Sequence, residues 1–191
     1  MRMSNKKSND EQSGFTLIEA VIAILIMTIG LIGTAAAISY ALQFSTLSRN
    51  VSNAKLVVVA SIEEIEALRN SRQLEFKQIE NVGNVNNNNA PTIFDGFSTG
   101  FRDISINPGP DGVNGTNDDL RNPGADGIYG TGDDFDDLNW VRSGYRRQIT
   151  ITNLNSTLKK IEVKVQYLGT NGSIGELTGV CYLNDETHET R

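Results

Sequence analysis

Eight aspartates, Asp111, Asp118, Asp119, Asp126, Asp133, Asp134, Asp136 and Asp137, fall within 27 residues with one basic residue, Arg121, among them. They are not scattered. "NPGPDGVNGTNDDL" (107–120) realigns with "NPGADGIYGTGDDF" (122–135) at a period of 15 residues. Carboxylates and backbone carbonyls are hard oxygen ligands that suit calcium, and glycines let a backbone turn tightly enough to present carbonyls. A plain solvated acidic loop explains the charge but not the repeated glycines. The EF-hand spacing and its terminal glutamate are missing, and nonapeptide calcium arrays have a shorter period. Other chemistry is poorly provided for. The chain has one cysteine, Cys181, and one histidine, His188. A histidine triad, a multi-histidine metal site and an intrachain disulfide are therefore unavailable. No nucleophile–base set is visible, and an enzyme is not expected. A net charge of −6 argues against a general nucleic-acid binder, and no nucleic-acid site is evident.

A ninth carboxylate stands apart. In "SGFTLIEAVIAILIMTIG" (13–30), Glu19 sits near the start of an apolar run. That run continues to Leu42 with no other charge. As a helix it would be ~42 Å long, against ~30 Å of bilayer hydrocarbon. Arg2, Lys6 and Lys7 precede it, which places residues 1–14 in the cytoplasm and the bulk of the chain across the membrane. A cleaved secretory signal ending near Ala35 and Ala37 would need a shorter apolar segment. A plain anchor gives no reason for Glu19, since a carboxylate inside a spanning helix costs up to ~3 kcal/mol at its centre.

The elements that must position these groups follow from pattern. Residues 43–80 are mixed and read as an amphipathic helix, with Val51, Val58, Ile62 and Ile65 near helical spacing. Glu63, Glu64 and Glu66 read as a solvated face. One helix is predicted from about residue 15 to about residue 72. "NVGNVNNNNAP" (81–91) has no periodicity and reads as a linker loop. "RQITIT" (147–152) and "KKIEVKVQYL" (159–168) alternate as strands, and residues 176–183 supply a third. Ile161, Val163, Val165 and Tyr167 share one face, as do Leu177, Cys181 and Leu183. An Asn171–Gly172 pair marks the turn between the last two strands. The fold class is α+β. Its zones are 1–14, 15–42, 43–80, a loop region 81–145 holding the repeat, and a sheet region 146–191.

"GFTLIEAVIAI" resembles the N-terminal signature of type IV pilins and type II secretion pseudopilins. The resemblance implies a pilin fold and a leader of residues 1–14. It implies cleavage after Gly14 by a prepilin peptidase and N-methylation of the new terminus, Phe15. Glu19 becomes the fifth mature residue. In the family this glutamate is thought to meet the N-terminal amine of a neighbouring subunit. The implied partners are other pilin subunits, the peptidase and inner-membrane lipid. The implied location is the bacterial inner membrane, single-pass, and then a periplasmic or cell-surface filament. Physically, an amine and a carboxylate in low dielectric are each costly alone and attract strongly when paired. Glu19 then acts as a register device that assembly neutralises.

"GADGIYGTGDDFDDLNW" (124–140) also resembles the calcium loop of the major type II pseudopilin. Here Thr131 replaces a glycine, and the distal acidic cluster differs in length. That leaves the distal ligand open among Asp133, Asp134, Asp136 and Asp137, and the expected set is Asp126 as side-chain ligand with Asp133, Asp134 or Asp137 as its distal partner. Asp111, Asp118 and Asp119 would form a second, weaker site. The alanine- and tyrosine-containing helix signature of the major pseudopilin is absent, and the C-terminal strands resemble the sheet of PilV-like minor pilins. The expectation is a minor pilin-like subunit with a calcium-stabilised head. Its alternatives are a type II pseudopilin and a membrane-anchored calcium-dependent binding module that does not polymerise.

Overall fold

The computed structural model describes residues 15–90 and 92–185. The chain forms two compact units, one ending at Ser45 and one beginning at Thr46. Helix α1 runs Leu17–Asn70. The predicted end at about residue 72 is two residues late, because Arg72 takes a positive φ of 59° that breaks the helix. Among residues of the first unit, the helix is exposed on every side and apolar enough to cross a membrane.

In the second unit the same helix becomes one-sided. Ala54, Val57, Val58, Ser61, Ile65 and Leu68 are buried, a stripe at helical spacing. They face an antiparallel sheet in the order β1–β4–β5–β6. The strands are β1 (Arg102–Ser105), β4 (Val141–Asn155), β5 (Leu158–Leu168) and β6 (Ile174–Asn184). A separate ladder pairs β2 (Arg121–Asn122) with β3 (Phe135–Asp136). The result is α+β: a long N-terminal helix packed on an antiparallel sheet, consistent with the pilin fold.

The predicted strands are present and longer than read. Inward residues Ile149, Ile151, Ile161, Val163, Val165 and Leu183 are at most 3 % exposed. Ile149 sits opposite Val163, and Ile161 opposite Cys181. Gly179 lets the helix approach. A Cβ there would overlap Val58 Cγ1, so this strand position needs a hydrogen for a side chain.

Polar residues also lie in this core. Lys159 shares the inward parity of Ile161. Its Nζ donates to Phe76 O (2.8 Å), Ile79 O (2.9 Å) and Glu80 Oε1 (2.8 Å). All three ammonium protons are used, which is how a buried charge is tolerated. The segment 81–91 is not a loose linker over its described residues. Asn87 Oδ1 accepts from Gln78 Nε2 and Phe94 N, and Asn87 Nδ2 donates to Phe94 O. Asn81 exchanges both of its amide bonds with the backbone of Ile151. Asparagine amides here replace backbone partners, a role that lack of periodicity conceals.

Candidate functional site

The apolar end of α1 carries the first candidate. Thr16 O accepts from Glu19 N at 3.1 Å and from Ala20 N at 3.2 Å, which starts the helix. Glu19 lies in the first turn, where a carboxylate is favoured by the helix dipole. Its side chain and that of Phe15 are exposed, as are the apolar residues that follow. Gly14, the other predicted processing residue, lies outside the described residues, as does His188.

Residues 10–35 match the prokaryotic N-terminal methylation motif. That match supports a type IV pilin-like prepilin and bears on the N-terminal segment, not on the head. No curated protein and no solved structure matches the chain. In a prepilin such a helix is a membrane anchor before assembly, and this one is long and apolar enough to cross a membrane. A pilin-like precursor also suggests a structural role and not a catalytic one.

The acidic repeat is the second candidate. Its two copies fold into closely matching turns. Asn107 Oδ1 accepts from Gly109 N, and Asn122 Oδ1 from Gly124 N. Asp111 Oδ1 accepts from Val113 N at 2.8 Å, and Asp126 Oδ1 from Ile128 N at 2.8 Å. Asp118 reaches the amide of Asp111, and Asp133 that of Asp126. Asp119 accepts from Gly115 N, and Asp134 from Gly130 N. The paired glycines match as well: φ is 71° and 69° at Gly109 and Gly124, and 70° and 71° at Gly112 and Gly127. The repeated Asn, Asp and Gly are therefore the capping chemistry of a tight turn. The sequence reading assigned them to cation binding and missed this use.

The structure brings together Asp111, Asp118 and Asp119 in one turn, and Asp126, Asp133 and Asp134 in the other. Asp137 serves elsewhere: its carboxylate accepts from Asn139 N and Asn122 Nδ2. Thr116 Oγ1 lies 2.5–3.1 Å from Val113 O, Asp118 Oδ1 and Asp119 Oδ1, with a single proton to donate. Asp111 Oδ2 is sealed from solvent and receives no hydrogen bond. Burial, followed by the charges of Asp118 and Asp119, pushes the Asp111 carboxyl up to about 7. At exposed Asp133 the Thr131 hydroxyl is the largest influence and holds the carboxyl below its usual range. Among the described residues, no three His, Cys, Asp or Glu side chains form a ready-made metal cluster.

Arg147 ties the first turn to the core. It is 7 % exposed and donates to Ser61 Oγ at 3.1 Å and Asp119 Oδ2 at 3.4 Å. Burial is the dominant influence on both partners, pushing Asp119 up and Arg147 down, while their mutual attraction opposes it. Glu64 Oε1 accepts from Asn114 Nδ2 at 2.7 Å, and Glu66 accepts from the Cys181 thiol. The helix glutamates 64 and 66 thus dock the loop and sheet and are not a merely solvated face.

Proposed function

We propose that the chain is a structural subunit, minor in abundance, of a type IV pilus-like filament. It enters the inner membrane as a prepilin. It is cleaved after Gly14, methylated at Phe15 and assembled with other pilins through its N-terminal helix. The observation that carries this reading is the methylation motif at residues 10–35, leading into a helix that reaches Asn70. Apolar exposure of the first part suits lipid and then the packed interior of a filament. Glu19 supplies the carboxylate that a neighbour's new amine neutralises. A pseudopilin of type II secretion shares each of these features and is the second reading.

We extend the proposal to calcium in the head. Support comes from the first turn, where Asp111 Oδ2 is buried without a donor and the carboxylates of Asp118 and Asp119 compete with the Val113 carbonyl for one hydroxyl proton. Asp111, Asp118 and Asp119 would hold the ion together with backbone carbonyls. Asp126, with Asp133, Asp134 or Asp137, is the corresponding set in the second turn. A divalent cation would supply the positive charge that these oxygens lack and fix the loop.

The test of the filament reading is mass spectrometry of the mature N-terminal peptide. A chain beginning at Phe15 with one added methyl group is the expected result. A start after Ala37, or an intact Met1, overturns it.

A further inference from the structure

The two turns are built alike and placed differently. In the first, Val113 is 1 % exposed. A Cβ on Gly115 would lie 2.6 Å from Ile149 Cδ1 and 3.3 Å from Arg147 Nη2, so this face is seated on β4. In the second, the residue matching Val113 is Ile128, which is 62 % exposed. Nothing lies within 4 Å of the Cβ position at Gly130, the residue matching Gly115. Tyr129, Phe135 and Leu138 are exposed beside it. The chain thus carries one copy of the turn docked in its own core and one copy presenting the same face, made larger and more apolar, to solvent.

A matching surface exists on the same head. The outer face of the sheet places Lys160 opposite Tyr182 and Glu162 opposite Val180. Val180 and Tyr182 are exposed. Lys160 and Lys164 both pair with the one carboxylate of Glu162, at 2.7 and 3.3 Å. This apolar patch has a rim of two lysines and one glutamate, one positive charge net. Residues 121–137 carry five aspartates and one arginine, Arg121, which pairs with Asp134 and Asp136, so the rim of their apolar patch stays net acidic.

We propose that the second turn docks, through Ile128, on the Val180–Tyr182 face of another copy of this chain. Apolar side chains meet at the centre and opposite charges at the rim, the arrangement of a specific protein contact. The contact joins two different patches, so each chain has one of each to offer, and arranged head-to-tail such a contact can propagate. The proposal rests on the filament reading, since it describes how two heads of this chain would touch where they meet in the filament.

The experiment uses full-length chains in the membranes of producing cells, with Cys181→Ser as background. One tagged chain carries Ile128→Cys and a differently tagged chain carries Tyr182→Cys. Oxidation should give a dimer bearing both tags. Lys160→Glu with Lys164→Glu should lower that yield by about tenfold or more, because like charges then face each other. A mixed yield no higher than that of Ile128→Cys with Leu154→Cys overturns the proposal. So does a product formed mainly between two Ile128→Cys chains. Mass spectrometry of the same samples reads the N-terminus. A methylated Phe15 without the mixed dimer removes the docking surface and leaves the filament reading. The mixed dimer from uncleaved chains does the reverse.

Discussion

Replacing Arg147 with methionine tests how the first turn is held. Methionine keeps the length and much of the volume of the stem but removes the charge. Asp119 then remains 5 % exposed without its cation. Breaking a buried pair by removing one partner costs ~3–5 kcal/mol. Asp119 keeps its donors at Gly115 N, Thr116 N and Thr116 Oγ1, which argues for the lower end. Losing the bond to Ser61 Oγ adds ~1 kcal/mol. The expected loss is ~3–4 kcal/mol, a large share of the ~5–15 kcal/mol typical of a domain. Adding Asp119→Asn should restore part of it, because the amide oxygen still caps the turn and the buried charge is gone. Urea unfolding of the full chain in detergent micelles, followed by circular dichroism, measures both. An Arg147→Met chain within 1 kcal/mol of the parent refutes the argument, as does an Asp119→Asn addition that deepens the loss.

The two turns should answer the same substitution differently. Val113→Ala should cost ~2 kcal/mol through lost burial and a residual cavity, and Ile128→Ala under ~0.5 kcal/mol, by the same unfolding measurement. Glu19→Ala should leave membrane insertion intact and abolish entry into filaments, scored by fractionation and by sheared-filament blots. Millimolar calcium should raise head stability by ~0.5–1.5 kcal/mol per site over chelator if Kd is in the range of extracellular modules. Asp111→Asn should remove the first turn's share of that response in thermal melts, and equal midpoints with and without calcium would return the loop to a purely self-capped turn.

Much of the architecture could be read from periodicity. β5 alternates cleanly, so its faces were legible residue by residue, and the helix showed itself by length. β1 was not legible: "RDIS" is short, and its burial runs as a pair and not in alternation. The first part of β4, "VRSGYR", is interrupted by Gly144 at a φ of 88°. Arg147 and Lys159 were missed as core residues, yet a signal existed. Each shares the parity of the aliphatic residues that follow it, and parity alone assigns them inward. The repeat's position between helix and sheet was plain. Its capping role was not, because aspartate and glycine serve a tight turn and a cation loop equally well. Which copy would be buried depended on Ile149 and Arg147, residues distant in sequence.

The second turn also has a closed neck. Arg121 pairs with Asp136 across the β2–β3 ladder, and Asp137 N donates to Leu120 O at 2.9 Å. Between those points the backbone N–H groups of Gly124, Ala125, Asp126, Ile128 and Gly130 are met from within the turn, by its own aspartates and Asn122. The unit is thus built as a cassette, with entry and exit side by side. A duplication or deletion of one full period should leave the strands on either side where they were. A shift of one residue more or less would misplace every cap. Head size can therefore be changed by design in whole cassettes, with the helix and sheet held constant.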